Sequence, residues 1–263
     1  MTEQERLKRE QEFQDARILE EDTARQAATK YYILMQRARE KYNRRILTLA
    51  PGRRLLEYGC SDGEATRLWA EQGAQCTGID ISPEAIRHAR MRAEEAGLHI
   101  RYEVMNAEAM SFDDASFDVV VGTGILHHLE LDSAYAEIAR VLSDDGHAIF
   151  IEPLGHNPLI NLYRRLTPAM RSEDEHPLRI GDLGLASRYF GHVNVHYQNL
   201  FTFAGLPFRN TRLFPPLHGF LRGIDAALFT VLPFTKRMAW LVYIECSQPV
   251  RNRIGGVQAD NSM

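Results

Sequence analysis

Residues 55–63 read Leu-Leu-Glu-Tyr-Gly-Cys-Ser-Asp-Gly, and residues 78–82 read Gly-Ile-Asp-Ile-Ser. A short apolar run that ends in glycines has the form of a strand leaving a sheet through a loop, where the backbone can approach a ligand closely. Asp80 stands 21 residues beyond Gly59, the spacing at which an acid ending the next strand can accept both hydrogen bonds of a ribose diol. That pair alone fits a dinucleotide or another adenosyl ligand. Two details separate them. A pyrophosphate site wants a GxGxxG spacing that packs phosphate on a helix N-terminus, but here the glycines are Gly59 and Gly63, with Ser61 where a second glycine is usual. Glu57 also places a carboxylate beside the loop, unfavourable to a pyrophosphate and suited to an ammonium or a sulfonium.

A second group of residues can move protons or hold anions: His127 and His128, Glu152 and His156, then Glu175 and His176. Glu152 and His156 leave a strand at the edge where α/β sheets bind ligands, so they are the leading candidates for a base, with His128 beside them. The alternatives are a strand-end carboxylate holding loop amides, a turn histidine, and ring nitrogens tied to backbone. Tyr163, Arg164, Arg165 and Arg171 precede Glu173-Asp174-Glu175-His176. Guanidinium forks suit a carboxylate or phosphate, so Tyr163, Arg164, Arg171 and His176 are candidate substrate contacts; a solvated mixed-charge loop is the competing account.

The elements that must position these residues alternate. Strands are expected at 55–58, 75–81, 100–105, 117–121 and 148–151, and helices at 64–72, 83–96 and 133–142, the last closed by an Asp144-Asp145-Gly146 turn. Ser82 and Pro83 are the N-cap and first residue of the second of these helices. Strands alternating with helices of about 10–15 residues make right-handed βαβ units and a parallel sheet. Residues 1–50 read as one or two amphipathic helices, frayed over the first dozen residues. After Pro153 regularity breaks: 153–181 is a lid-like loop with four prolines, 183–190 a short helix, 193–197 a strand, 203–238 an apolar helical insertion and 239–246 a closing strand. The domain reading is a helical cap at 1–50, a main domain at 51–250 carrying the two insertions, and a flexible tail at 251–263.

Composition narrows the partners. With 31 Lys and Arg against 35 Asp and Glu the net charge is −4, and no cationic excess exists to grip nucleic acid phosphates. No apolar run reaches the ~18 residues of a membrane helix. Three separated cysteines without a CxxC read as reduced thiols in a cytoplasmic protein, with neither a disulfide framework nor a metal site. Cys60 reads as a packing residue, since nothing near it in sequence would lower its pKa.

From Arg53 to Pro153 the chain resembles the class I S-adenosylmethionine-dependent methyltransferases of the ubiquinone/menaquinone-methyltransferase-like group. The resemblance is carried in order by Glu57 to Gly63, by Asp80, by Asn106-Ala107-Glu108, by Phe117-Asp118-Val119-Val120 through Leu126-His127-His128-Leu129, and by Arg140 to Gly146. It implies a doubly wound, Rossmann-like seven-stranded sheet of order 3-2-1-4-5-7-6, with S-adenosylmethionine as cofactor. By the same resemblance Gly59, Cys60 and Gly63 line the methionine end, supported by Glu57, and Asp80 holds the ribose while Ile81 packs on the adenine. Asn106, Ala107 and Glu108 border the base, the backbone at Gly122, Thr123 and Gly124 passes near the sulfonium, and His127 is a further cofactor contact. Tyr31 and Tyr32 either belong to the helical core or close over the cofactor. The function implied is methylation of a small organic acceptor, with an anionic group and an apolar body suggested by the Arg-rich and Phe/Leu-rich insertions. An RNA or protein methyltransferase, and a cofactor-binding protein without turnover, stay open, as does assembly into a homo-oligomer.

Overall fold

The computed structural model describes residues 2–19, 39–166 and 175–251. Strands β1 (Arg54–Tyr58), β2 (Gln75–Asp80), β3 (Arg101–Val104), β4 (Phe117–Thr123), β5 (Leu142–Pro153), β6 (Phe190–Gln198) and β7 (Leu241–Pro249) form one sheet of order β3-β2-β1-β4-β5-β7-β6. The first five pair in parallel, and β7 runs antiparallel between β5 and β6. This is the order that the resemblance implies.

Period-two alternation divides the core into two layers. Leu55, Val119, Val121, Ile149 and Ile151 face one side, against Tyr42 and Ile46 of helix α2 (39–49) and Trp69 of α3 (Glu64–Glu71). Leu56, Tyr58, Val120, Ala148 and Phe150 face the other, against Tyr135, Ile138 and Ala139 of α5 (Leu131–Val141). Between these helices in sequence, α4 (Pro83–Glu95) covers β2 and β3, starting as expected at Ser82, whose hydroxyl accepts the Ala85 N–H. Burial of each such Leu, Val, Ile or Phe contributes about 1.5–3 kcal/mol.

Three expectations are corrected. The Asp144-Asp145-Gly146 turn is absorbed into β5, whose pairing with β4 jumps from Leu142 to His147; the extra residues form an irregularity instead of ending a helix. Residues 183–190 are not one helix: α7 (Ile180–Leu185) tightens into a 3₁₀ turn at Ala186–Arg188, and Phe190 already opens β6. The first dozen residues are not frayed. They belong to α1 (Glu3–Leu19), which is fastened to the domain by polar contacts, not by an apolar stripe.

Because Pro153 pairs with Leu241, and Leu241 with Gln198, two segments start from the carboxyl edge of the parallel strands: the one after Pro153 crosses back to Phe190 at the opposite edge, where β6 begins against Pro249, and the one after Gln198 returns to β7 at the carboxyl edge. One such segment contains α6 (Pro158–Leu166) and α7. The other contains a 3₁₀ turn at Thr202–Phe208, α8 (Phe214–Val231) and a second 3₁₀ turn at Pro233–Met238.

Candidate active site

The loop after β1 is built from left-handed residues: Gly59 has φ 75°, Ser61 φ 49° and Gly63 φ 72°. A Cβ on Gly59 would stand 2.8 Å from the Ile125 side chain, so glycine is required there by backbone conformation and by packing. Ser61 holds its position without that freedom, and its N–H donates to Asp80 Oδ2 at 2.8 Å. Asp80 Oδ1 accepts the Ser82 N–H at 3.0 Å. Burial raises the Asp80 carboxyl above its ordinary range, with these N–H groups opposing the shift. Each oxygen has two lone pairs and accepts one N–H, leaving acceptor capacity for a diol. Ile81 follows, half-buried.

Glu57 lies beneath the loop, 7% exposed, and accepts the Thr66 hydroxyl. Burial pushes its carboxyl up to about 8, against the lowering effect of Thr66. A buried acid that is protonated near neutrality matches an incoming cation, whose charge would draw the proton off. The Cys60 thiol is pushed well above its ordinary range by burial, in keeping with a packing residue. The glycine loop, the diol-ready aspartate and the buried acid below them therefore fit the methionine and ribose parts of S-adenosylmethionine.

Beyond β3, Asn106 Oδ1 accepts the Glu108 N–H at 3.0 Å and fixes the turn, while the Ala107 carbonyl accepts the Tyr58 hydroxyl. The Glu108 side chain is engaged at both oxygens. Its Oε1 accepts the Glu130 N–H at 2.8 Å and its Oε2 pairs with Arg6 of α1 at 2.5 Å, so it serves as a fastening for α1. Arg6 also donates to the His128 carbonyl at 3.4 Å, and Asp15 accepts the Ser82 hydroxyl. Helix α1 thus bridges the ends of β2, β3 and β4.

The proton-moving residues gather at the ends of β4 and β5. Gly122 and Thr123 pair with Phe150 and Ile151; a Cβ on Gly122 would press into Ile125 and Phe150 at 2.8–2.9 Å. Glu152 is fully buried, accepts the Ile125 and Leu126 N–H groups at 2.9 Å, and lies 2.8 Å from His127 Nδ1. A carboxylate only accepts, so in this pairing the proton is on Nδ1 and the ring donates to Glu152. Nε2 faces Glu175 Oε1 at 3.8 Å, and Arg164 lies 4.0 Å from the same oxygen. His128 Nδ1 is 3.1 Å from Glu10 of α1. Burial alone would lower the His128 pKa, but Glu10, Glu175 and Glu152 together raise it above its ordinary value.

The structure therefore reassigns the candidate bases. Glu152, with no exposed surface and three bonds in place, cannot touch an acceptor; it orients His127. His128 is turned to α1. His156 is exposed and its Nε2 accepts the Ile180 N–H at 3.2 Å, so it ties the loop to α7. The exposed His176 donates its backbone N–H to the His127 carbonyl at 2.8 Å, placing Glu175 against the ring. Arg164 is not a solvated surface residue, since only 13% of its side chain is exposed. Tyr163 lies in α6; Tyr31, Tyr32 and Arg171 lie outside the described residues. The roles of Arg6 and Glu10 were missed, the sole signal being their i, i+4 spacing on one helical face. His127, His128 and Glu175 also offer ligand atoms within 4.8 Å of one another, an arrangement able to hold a cation. No sequence spacing announces it, because two of its members are adjacent and the third is 47 residues away.

A family model described as "Methyltransferase domain" matches residues 56–150. The ubiquinone biosynthesis O-methyltransferase of Bordetella avium is 27% identical over 149 residues, 53% of this chain and 62% of that protein. Its namesake in Cereibacter sphaeroides is 34% identical over 129 residues, 48% of this chain and 52% of that protein. The chain thus spans little more than half the length of these relatives. Among solved structures, the Haemonchus contortus phosphoethanolamine N-methyltransferase 2 with S-adenosyl-L-methionine superposes with TM-score 0.59 at 19% identity, over 79% of this chain and 52% of that one, a likeness of fold. Sheet order and sequence matches converge: residues 56–150 form a methyltransferase domain on a Rossmann-like seven-stranded sheet, similar in sequence to the ubiquinone biosynthesis O-methyltransferases.

Proposed function

We propose that this protein methylates a hydroxyl group on a small, partly apolar acid, with His127 as the general base. The observation that carries the proposal is the pairing of His127 Nδ1 with the fully buried Glu152 at 2.8 Å, which would leave Nε2, on the side of Glu175, as the nitrogen that takes a proton. S-adenosylmethionine supplies, when bound, a methyl group already activated on a sulfonium. Gly59, Ser61, Gly63 and Asp80 would hold it by loop backbone and ribose contact, Glu57 would meet its ammonium, and Asn106 and Ala107 would border the base.

An amine needs only to be neutral to accept a methyl, whereas a hydroxyl must lose its proton. An oriented base therefore favours oxygen, in accord with the relatives named O-methyltransferases. His127 Nε2 takes the hydroxyl proton, and Glu152 stabilises the imidazolium that results, without itself being protonated. Arg164, 4.0 Å from Glu175, would meet an acidic group on the acceptor.

The test is a transfer assay with methyl-labelled cofactor against a panel of phenols, phenolic acids and amines. Label should pass to phenolic acids; His127→Ala and Glu152→Gln should each lower kcat by about 10²–10⁴ while cofactor affinity is retained. Transfer to amines alone, or full turnover in both variants, would sink the proposal.

A further inference from the structure

The insertion between β6 and β7 contains a helix, α8, that leaves large apolar side chains in water as well as packing an apolar side inward. In α8 the buried positions are Phe214, His218, Asp225 and Phe229, so two polar groups face the protein. Asp225 is 4% exposed and caps the preceding turn, accepting the Leu200 and Phe201 N–H groups at 2.9 and 2.7 Å. The outer face carries Pro216, Phe220, Gly223, Ala227 and Val231, all exposed, in an uncharged stripe at helical spacing. Phe220 is 67% exposed and Val231 73%, and beside them in the following turn Phe234 is 69% exposed. The inner side already holds the usual apolar stripe, with half-buried Leu217, Leu221, Ile224 and Leu228 between Phe214 and Phe229, so the outer aromatic and aliphatic side chains are additional to it. Exposed apolar area of this extent marks an interaction surface.

Charge identifies the partner. Residues 199–240 hold Arg209, Arg212, Arg222, Lys236 and Arg237 against Asp225 as the single acid, in a chain whose net charge is −4. That acid is buried, so the face presented is purely cationic around an aromatic and aliphatic centre. Among the described residues no ion pair within 4.0 Å neutralises these five cations. A symmetric contact with a second copy would set the same cations against each other. Aromatic and aliphatic residues ringed by Lys and Arg are instead the chemistry of an interfacial helix on anionic lipid. No described helix is long and apolar enough to cross a membrane, so α8 would lie along the surface.

We infer that the face formed by Thr202–Phe208, α8 and Pro233–Met238 docks on the headgroup–acyl boundary of an anionic bilayer. The docked face adjoins the catalytic edge: Asn157 Nδ2 donates to the Met238 carbonyl at 2.6 Å, and the Leu154 N–H to the Trp240 carbonyl at 2.8 Å. The exposed Leu162 and Leu166 of α6, on the neighbouring segment, extend the apolar surface. An acceptor with an apolar body would then pass from the lipid to the His127 pocket without crossing water. The docking itself does not depend on the base or acceptor proposed above, because lipid binding is read without turnover.

The test is cosedimentation of the full chain with vesicles of phosphatidylcholine alone or mixed with phosphatidylglycerol. Binding should be strong to the mixed vesicles, weak to the neutral ones, and reduced by salt. Phe220→Ser/Phe234→Ser and Arg222→Glu/Arg237→Glu should each lower the partition coefficient about tenfold or more. All four side chains are exposed or surface-lying, so circular dichroism and melting should stay as in the parent; a variant that fails this check is replaced by Phe220→Ala alone, expected to lower partitioning about threefold or more. Absence of binding to the mixed vesicles, or binding that neither pair of substitutions changes, overturns the inference. So does sedimentation velocity showing a dimer that Phe220→Ser/Phe234→Ser dissociates while vesicle binding is absent, which would assign the face to a second copy.

Discussion

Glu57 offers the sharpest test of the cofactor site, because its protonation can be counted. Its carboxyl is pushed up from 4.5 to about 8 by burial, so at pH 7 about nine-tenths of the molecules hold it neutral. A cationic ammonium arriving beside it restores the preference for the carboxylate, and the proton must leave. Cofactor binding at pH 7 should therefore release nearly one proton, seen by calorimetry as a linear dependence of apparent binding enthalpy on buffer ionisation enthalpy. Glu57→Gln keeps an acceptor for Thr66 and has no proton to release, so its slope should be near zero. The same residue governs stability. Between pH 4.5 and 8 the folded state holds a proton that the unfolded chain has lost, so stability falls as pH rises through that window, by roughly 3 kcal/mol between pH 4.5 and pH 7. Glu57→Gln should lack this loss: its Tm should exceed the parent's at pH 8, and the gap should close toward pH 5. A parent with no buffer dependence, or with a slope that Glu57→Gln leaves unchanged, would refute the assignment.

Asp80→Ala should weaken S-adenosylmethionine binding by about 2–3 kcal/mol, since it removes a charge-assisted pair of ribose acceptors; unchanged affinity in a folded variant would place the ribose elsewhere. The Glu10–His128 pair should fasten α1 fully below pH 6.5 and release it as pH rises through the raised His128 pKa. Hydrogen exchange of α1 amides, corrected for intrinsic rates, should show that loosening, and Glu10→Gln should abolish its pH dependence; a profile that Glu10→Gln leaves intact argues for another fastening. Gly59→Ala, with its Cβ driven against Ile125, should cost about 1–3 kcal/mol by denaturant titration. Ser61→Gly, at φ 49°, should by contrast leave stability within about 1 kcal/mol or raise it, and an equal loss in both would contradict the left-handed loop.

The parts of this molecule that were legible from sequence are those encoded locally. Alternating apolar residues place Leu55 and Leu56 on opposite faces of one strand, and Ser82-Pro83 starts a helix whatever surrounds it, so the sheet and the glycine loop could be anticipated, while the strand order came only with the family resemblance. The choice of base could not be anticipated, because it turns on depth, and depth is a property of packing. Glu152 and His127 both have the residue type of a base, but Glu152 accepts the Ile125 and Leu126 N–H groups with no exposed surface, which is why we assign the proposed base role to His127. Helix α1 escaped for a related reason. Its sequence lacks an apolar stripe, the usual sign that a helix has a place to go, and its docking rests on Arg6, Glu10 and Asp15 meeting partners 67 to 122 residues away. In α8 the core-facing stripe is ordinary, with Phe214, Leu217, Leu221, Ile224, Leu228 and Phe229 on the inner side beside His218 and Asp225, but Phe220 and Val231 stand on the outer side, 67% and 73% exposed. The apolar content of the segment does not report which of these residues stay wet, because that depends on what packs against each side. The segment therefore reads as a buried insertion in sequence, and only the folded protein separates the side chains that fill it from those left outside, on which the proposed lipid docking rests.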